Sequence, residues 1–451
     1  MIRTLERAWA VSRRYWTLGT AVARRARSKG GLIAEAERYA SGDGGPRLQA
    51  SKAAVPVTGS LPSVVPVNFE GEARPGREPF LNVMIPGMAL WAMSGGPNTV
   101  LNLTLRLARA GVPIRYISTD VAGEKDHERL WNHLANVTGI SDRSARIEFV
   151  DGHDRSVTTP IGRDDLFLGT AWWTVQMIKD VLDRMRFRRF LYVIQDFEPG
   201  LYPWSTTYAL ALETYSLDFH AIVNESLLMD HLAASKVGRF VDADFCSRSC
   251  VFEPAVDRTQ FYPDSEKRDL GHRQLVFYAR PHAPRNLYEL GLVAVKRAAE
   301  RGAFSTDTWR LRFMGGDLPP AEVTDNVVVE PMPWLDYASY AQLLRDSHVG
   351  LSLMLSPHTG YPVLEFAACG VPVVTNTFGT KTAARLERIS SNVIAATPTV
   401  EALTDALVDA TGRAMSSRVG EGDMTMPPTW EDAFEPCIPR VLAMIDDCRR
   451  E

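Results

Sequence analysis

Residues 352–375 combine the residue types best suited to binding a charged ligand. An apolar run predicts a buried strand, and a polar loop leads from it into a helix that opens with proline, a residue favoured in first helical turns. Backbone amides at a helix start have no partner within the helix and attract anions. The residues that form this predicted anion site are Gly360, Tyr361, Pro362 and Val363.

Glu365 lies one turn further along that predicted helix. A carboxylate at this place can accept hydrogen bonds from the hydroxyl groups of a ribose. The alternative is an ordinary helix in which Glu365 only favours the helix N-terminus. The segment therefore predicts a nucleotide site, with that alternative left open.

Two arginines lie near a second strand end. Arg280 follows a predicted strand over residues 275–279, and Arg285 precedes a predicted helix over 286–301. Guanidinium groups donate forked hydrogen bonds to phosphate oxygens, so the pair predicts a diphosphate site. Surface arginines without a ligand are the alternative.

Two further places at strand ends carry candidate residues. Gly95 and Gly96 lie between a predicted strand and a helix, where glycine allows the backbone to approach a sugar or phosphate. They do not form Gly-x-Gly-x-x-Gly, so a dinucleotide site is not supported. Asp196 and Glu198 follow the predicted strand 190–195 and are the candidate catalytic residues, because a carboxylate there can orient an acceptor hydroxyl or take its proton. Capping a helix or pairing with an arginine are the equally weighted alternatives.

The elements that position these residues form two alternating series of strands and helices. Such a pattern predicts α/β architecture with two doubly wound, Rossmann-like domains. Ligands bind such sheets at the carboxyl ends of the strands, so two facing domains would place a cleft between them. The predicted strands are 81–86, 113–118, 146–150, 190–195 and 221–224 in the first series, and 275–279, 311–314, 327–329, 349–355, 371–375 and 393–396 in the second.

Three motifs resemble a known family. Glu365-Phe-Ala-Ala-Cys-Gly-Val-Pro-Val373 resembles the second half of the nucleotide-binding signature of GT-B glycosyltransferases of family 4, whose first glutamate would fall at Pro357 and is absent. The Ser356-Pro-His358 loop is similar to that of the WsaF-like rhamnosyltransferases. Two other stretches are similar to the same group: Gln195-Asp-Phe-Glu-Pro199, and Phe277-Tyr-Ala-Arg-Pro281 with Arg285-Asn-Leu-Tyr-Glu-Leu290.

This resemblance implies a GT-B enzyme that moves a sugar onto a glycan or polysaccharide acceptor. The second domain would hold the nucleotide sugar, dTDP-L-rhamnose, with a basic pair on its diphosphate, and the first domain would hold the acceptor. The implied reaction retains the anomeric configuration and needs no metal or other cofactor. No second carboxylate for a double displacement is identifiable, so front-face transfer is the favoured hypothesis. Asp242-Ala-Asp244 has a metal-site spacing without its context and is interpreted as a loop.

Three other functions stay open at this point. A sugar-nucleotide epimerase of the same fold needs acid/base residues but no acceptor. A non-catalytic nucleotide-sugar-binding subunit of a glycan-assembly complex would explain the missing first glutamate. A membrane-docking scaffold is indicated by the N-terminal segment alone.

Composition limits the class of protein. The chain has 451 residues, 45% of them hydrophobic, and 50 basic against 54 acidic side chains give a net charge of −4. These values are typical of a soluble globular protein, and no field of one sign favours nucleic acid as a partner. Five scattered cysteines favour free thiols in a reducing compartment, so we expect a cytoplasmic protein.

The N-terminal region differs from the rest. Residues 1–29 carry eight basic side chains against one acid, at loosely helical spacing with apolar residues. This pattern is typical of a helix that packs on its own protein or lies on an anionic membrane, here the inner face of the cell membrane. The predicted organisation is a helical extension (1–40), a linker or extended surface segment (41–79), an acceptor domain (80–260), a nucleotide-sugar domain (261–427) and a C-terminal helix that packs back across the domains (428–451).

Overall fold

The computed structural model describes residues 64–72, 78–93, 95–264, 269, 271–304, 308–316, 318, 321–324, 327–416 and 420–450. The predicted helical extension over residues 1–40 lies outside the described residues. Within the described part, no helix is both long enough and apolar enough to cross a membrane.

The first large sheet has seven strands, all parallel, in the order β4-β3-β2-β6-β7-β8-β9. Its strands are β2 (Leu81–Gly87), β3 (Ile114–Val121), β4 (Ile147–Asp151), β6 (Leu166–Gly169), β7 (Phe190–Ile194), β8 (Phe219–Asn224) and β9 (Cys250–Phe252). Its helices are α1 (Gly96–Arg109), α2 (His127–Thr138), α3 (Trp172–Leu182), α4 (Thr206–Thr214), α5 (Ser226–Ala234) and α6 (Ala243–Arg248). The strand order changes direction between β2 and β6: β3 and β4 lie on one side of β2, and β6 to β9 lie on the other. In doubly wound sheets, ligands bind at the carboxyl edge at such a point.

The second large sheet also has seven strands, in the order β12-β13-β11-β10-β14-β15-β16, and only β12 runs antiparallel. Its strands are β10 (Arg273–Tyr278), β11 (Trp309–Met314), β12 (Ala321–Thr324), β13 (Val327–Met332), β14 (Val349–Leu351), β15 (Val373–Asn376) and β16 (Val393–Ala396). Its helices are α7 (Tyr288–Glu300), α8 (Tyr337–Arg345), α9 (Tyr361–Ala368), α10 (Ala383–Ile389) and α11 (Val400–Ser416). The predicted α/β class with two Rossmann-like domains is confirmed.

Part of the predicted linker belongs to the folded core. Strand β1 (Phe69–Glu72) pairs in parallel with β5 (Thr159–Gly162) in a small separate sheet. Val64, Val67 and Phe69 are buried in the same core as residues of the first large sheet, whereas Val65 is exposed. The folded core therefore includes residues 64–72 of the predicted linker, and residues 41–63 lie outside the described residues.

The C-terminal residues return to the first domain as two helices, α12 (Trp430–Phe434) and α13 (Ile438–Cys448). Phe434, Val441 and Ile445 are buried in the same core as residues of α1 and the first sheet. The apolar residues of α13 recur every three or four positions, so a single face of the helix is buried.

A buried ion pair fixes the start of the first sheet. The Arg115 side chain is fully buried, and its Nη1 lies 3.0 Å from Asp165 Oδ2. Asp165 Oδ1 accepts a hydrogen bond from the Phe80 amide at 2.9 Å. This network joins β3 to the segments that precede β2 and β6, so it holds neighbouring strands in register.

Candidate active site

The candidate site lies where the carboxyl ends of the two large sheets meet. Loops that follow β7 and β8 contact loops that follow β10, β14 and β15. The contacts come from Asp196 and Glu225 of the first domain and from the segment 352–360 of the second. The predicted cleft residues of both domains therefore face one another.

The segment 352–360 is a loop rather than the end of a strand. Strand β14 ends at Leu351, although the apolar run predicts a strand to residue 355. The Asn376 side chain replaces a neighbouring strand here, because its Oδ1 accepts from the Met354 amide at 2.7 Å and its Nδ2 donates to the Met354 carbonyl at 3.0 Å. The Arg285 carbonyl accepts from the Leu355 amide at 2.7 Å. The loop is thus fixed by its own domain from two sides.

Asp196 contacts this loop from the first domain. Its Oδ1 accepts a hydrogen bond from the Ser356 hydroxyl at 2.5 Å, and its Oδ2 lies 3.5 Å from His358 Nε2. Oδ2 also forms an ion pair with Arg285. Both neighbours of Pro357 therefore contact one carboxylate of the other domain.

Glu225 makes a second link between the domains, and sequence reasoning missed it. Its carboxylate is buried, accepts from the Thr359 amide at 3.0 Å and also accepts from the Thr359 hydroxyl. Burial raises the pKa of Glu225. Its backbone has φ 81°, a strained value for a residue with a side chain, and such strain is often kept at functional sites. Its position directly after β8 is the signal that could have found it.

The four residues predicted at the helix start lie together at the start of α9. Gly360 has φ 87°, a conformation that favours glycine, and a Cβ there would lie 2.9 Å from Met354 Cε, so a side chain at this turn would be strained and would displace Met354. Tyr361, Pro362 and Val363 form the first turn of α9, so the helix begins one residue before the predicted start at Pro362. The Tyr361 hydroxyl lies 2.7 Å from Thr99 Oγ1 of α1, a third contact between the domains.

Glu365 is on the next turn of α9. It accepts a hydrogen bond from the Tyr340 hydroxyl at 2.5 Å. Burial raises the pKa of Glu365 to about 7, and the Tyr340 bond counteracts part of that rise. The carboxyl group is therefore close to half-ionised at neutral pH, with one oxygen free of the Tyr340 bond.

The two arginines occupy different surroundings. Arg285 faces Asp196, and burial lowers the pKa of Arg285. Arg280 lies beside His282, with Nε 3.4 Å from His282 Nε2. The turn next to Arg280 contains Gly315, whose φ is 149° and whose Cβ position would lie 1.8 Å from the Ala279 carbonyl oxygen. This Gly315-Gly316 turn is a second glycine loop that the sequence interpretation overlooked.

A lysine that the sequence interpretation also missed lies behind the loop. Lys381 is fully buried, and its Nζ donates to the Met354 carbonyl at 2.9 Å. Burial lowers the pKa of Lys381 to about 7, although Glu225 raises it. Burial also lowers the pKa of His358 to about 4, so this imidazole is neutral at physiological pH.

The remaining predicted residues of the first domain are Glu198, Gly95 and Gly96. Glu198 points into the first domain, where it accepts from the Trp172 amide at 2.7 Å and the Tyr192 hydroxyl at 2.8 Å, so it caps α3. Burial raises the pKa of Glu198 to about 7. Gly95, at φ 48°, precedes α1, and a Cβ on Gly96 would lie 3.3 Å from Nε2 of the Gln195 side chain. The glycine pair thus lies beside the segment that carries Asp196.

Within the described ranges, no three His, Cys, Asp or Glu side chains are grouped closely enough to hold a metal ion. Asp242 caps α6, with its Oδ1 accepting from the Asp244 amide at 2.9 Å. The prediction that this Asp-x-Asp sequence forms a loop is wrong, because the short helix α6 begins at Ala243.

Comparison with known proteins identifies relatives of both domains. A family model described as WsaF, N-terminal domain, matches residues 80–225, and one described as WsaF, C-terminal domain, matches residues 273–408. The two matches together span more than half of the chain. The O-antigen biosynthesis protein RfbC of Myxococcus xanthus is 32% identical over 257 residues, which are 57% of this chain but only 19% of that protein.

Solved structures share the fold. The crystal structure of Anabaena Alr3699/HepE in complex with UDP and glucose has a TM-score of 0.51 and 11% sequence identity, and it covers 82% of this chain and 98% of that chain. The complex of the same protein with UDP-glucose gives the same values. At this identity the likeness establishes the fold alone, the GT-B arrangement of two Rossmann-like domains.

Proposed function

Because the chain belongs to the WsaF family, we propose that it is a glycosyltransferase that extends a glycan or polysaccharide from a nucleotide sugar. The observation that carries this proposal is the contact between Asp196 of the first domain and both Arg285 and the loop before α9 of the second. This contact brings a carboxylate, a guanidinium and a helix start to one place between the domains. HepE and RfbC support the same chemistry through what their names state, a UDP-glucose complex and O-antigen biosynthesis.

The second domain holds the donor in this proposal. The Arg285 guanidinium and the amides at the start of α9 bind the diphosphate, as forked donors and helix starts do. Lys381, whose pKa of about 7 leaves it partly protonated at neutral pH, adds positive charge behind the loop, which supports neutralisation of the diphosphate by side chains and a metal-independent reaction. Glu365 accepts hydrogen bonds from the ribose.

Asp196 takes the place of the acid that the family 4 signature would have at Pro357. The support for this assignment is that the Asp196 carboxylate contacts the residues on both sides of Pro357. When the diphosphate binds Arg285, Asp196 loses its ion-pair partner and becomes free to orient the acceptor hydroxyl. A phosphate oxygen of the leaving diphosphate then accepts the hydroxyl proton, and the sugar is transferred to the same face with retention.

The proposed donor is dTDP-L-rhamnose, and the support for it is the resemblance of the three motifs to the rhamnosyltransferases. Calorimetric titration with dTDP, UDP and GDP tests the base, and titration with dTDP-L-rhamnose tests the sugar. We expect dTDP to bind most tightly, and tighter binding of UDP or GDP would reject the rhamnosyl assignment.

The same titrations test the diphosphate site. Arg285→Ala should weaken dTDP binding by about tenfold or more, because a charge-assisted bond to phosphate is lost. Arg285→Lys is the matched control, since it keeps the charge but not the fork, and it should recover part of the affinity. Unchanged dTDP affinity in Arg285→Ala would show that the donor binds elsewhere. Binding of dTDP-L-rhamnose without transfer to any acceptor would favour the non-catalytic subunit.

A further inference from the structure

Three tryptophans at the carboxyl edge of the first sheet are incompletely buried. Trp204 is 93% exposed, Trp91 is 75% exposed, and Trp173 is half-buried. Exposing an indole ring to water is unfavourable, so proteins keep groups of exposed aromatic side chains mainly where they bind something. We call these three residues the tryptophan surface.

The sheet topology places the three residues along one edge. Trp91 follows β2, Trp173 follows β6, and Trp204 follows β7. These strands are neighbours in the parallel sheet, in the order β2-β6-β7. Because neighbouring parallel strands end on the same side, the three tryptophans lie in the connections that follow adjacent strands on that side, with Trp173 in the first turn of α3.

Part of this surface is rigid and has a polar margin. The buried Trp172 makes edge-to-face contacts with Trp173 at 5.8 Å and with Tyr202 at 5.9 Å between ring centroids. Trp172 Nε1 donates to the Tyr202 hydroxyl at 3.0 Å, and Trp173 Nε1 donates to Asp120 Oδ2 at 2.6 Å. A flat aromatic ring beside a carboxylate is therefore held in one orientation.

The tryptophan surface and the candidate active site share one segment of the first domain, the connection that follows β7. The segment that follows β7 carries Asp196 in the cleft and Trp204 eight residues later. Between them, Glu198 accepts from the Trp172 amide, which ties the segment to the base of the aromatic group. An acceptor that reacts beside Asp196 and extends along this segment would run towards Trp204.

We propose that the tryptophan surface binds the acceptor as an oligosaccharide, several sugars away from the one that reacts. The C–H faces of pyranose rings are apolar and match the flat indole rings, and their hydroxyl groups can donate to Asp120. Surfaces that bind anionic membranes combine aromatic residues with Lys and Arg. Trp173 instead contacts the carboxylate of Asp120, which favours a sugar over a membrane as the ligand. This inference rests on the proposed function and specifies the acceptor as an extended glycan rather than a monosaccharide.

The test is the binding of short rhamno-, manno- and gluco-oligosaccharides to the full chain, followed by calorimetry and tryptophan fluorescence. We expect the wild type to bind longer members of at least one series more tightly than its disaccharide. Trp204→Ala and Trp91→Ala should each weaken that binding by on the order of tenfold, as loss of an aromatic contact does at other interfaces. Trp334→Ala removes a 66% exposed tryptophan of the second domain and should leave oligosaccharide binding unchanged.

Titration of the same variants with dTDP separates this inference from the proposed function. Unchanged dTDP affinity with weaker oligosaccharide binding supports both. Oligosaccharide binding that survives both substitutions, or that is absent in the wild type, overturns the tryptophan surface and leaves the donor site intact. Loss of binding to phosphatidylglycerol vesicles in Trp204→Ala, with no effect on oligosaccharides, would also overturn it in favour of a membrane surface. Absence of dTDP binding in the wild type counts against the proposed function, whatever the glycans do.

Discussion

The ionisation of Glu365 should make donor binding depend on pH near neutrality. Burial raises the pKa of this carboxyl group to about 7 in the folded protein, and its one described hydrogen-bond donor is Tyr340. An ionised carboxylate accepts hydrogen bonds from ribose hydroxyls about twice as strongly as a neutral one. The contribution of Glu365 to donor affinity should therefore rise as the pH passes upward through about 7, and Glu365→Gln should remove that contribution.

The size of the effect follows from the pKa. With a pKa of about 7, roughly a tenth of the molecules carry an ionised Glu365 at pH 6 and roughly nine-tenths at pH 8. If only the ionised form binds the ribose, affinity changes by up to about tenfold between these values. Lys381, whose pKa is lowered to about 7, changes charge in the same range and weakens anion binding as the pH rises. The informative quantity is therefore the ratio of wild-type to Glu365→Gln affinity, in which the Lys381 contribution cancels.

The assay is calorimetric titration with a nucleotide sugar, whose phosphates, unlike those of a free nucleoside diphosphate, do not titrate near neutrality. Tyr340→Phe is the matched control, because the Tyr340 hydrogen bond lowers the pKa of Glu365. Without that bond the midpoint of the profile should move to higher pH. A wild-type to Glu365→Gln ratio that stays constant from about pH 6 to about pH 8 would refute the assignment of Glu365 to the ribose.

Three further predictions concern stability, each measured by urea unfolding. Arg115→Met should lower the free energy of unfolding by about 3–5 kcal/mol, because it leaves the buried carboxylate of Asp165 without this cation. A decrease below about 1 kcal/mol would contradict this prediction. Glu198→Gln can keep both hydrogen bonds that Glu198 accepts. Because burial raises the pKa of Glu198 above its unfolded value, the free energy of unfolding of the wild type should fall by on the order of 3 kcal/mol relative to the variant as the pH rises from about 5 to about 8. A difference between the two proteins that does not depend on pH would contradict this reasoning. Gly315→Ala should lower the free energy of unfolding by more than about 2 kcal/mol, because its Cβ would overlap a carbonyl oxygen. Gly412→Ala, whose Cβ would meet no neighbouring residue within 4 Å, should raise the free energy of unfolding by about 0.5–1 kcal/mol. Equal effects of the two substitutions would contradict the reasoning.

The sequence predicts the fold and much of the site because parallel strands impose a simple rule. Residues directly after a strand lie at the carboxyl edge, so Asp196 and Arg285 could be placed near a cleft before any contact was known. The short strand Leu166–Gly169 was missed, since four apolar residues have no periodicity that separates a strand from a loop. The two-stranded sheet was missed because its strand over residues 69–72 lies in a stretch rich in glycine and proline.

The rest of the site depends on which side chains meet across the cleft. Glu225 directly follows β8, which indicates the carboxyl edge but not its contact with Thr359, and no local pattern indicates that Lys381 approaches residues 352–360. The sequence also could not predict where the Glu198 side chain points. A 3-10 turn over Glu198–Leu201 points it towards Trp172, whereas Asp196, two residues earlier, points into the cleft. Such a choice is made by tertiary packing rather than by local propensity.

The return of α12 and α13 to the first domain has a consequence for how the protein is made. During synthesis, a domain ordinarily folds as soon as its own residues have left the ribosome. Here the first sheet emerges early, yet Phe434, Val441 and Ile445 complete its core only after the whole second domain has been translated. The nascent first domain must therefore wait with an apolar face uncovered, and we expect it to need chaperone protection until residues 430–448 arrive.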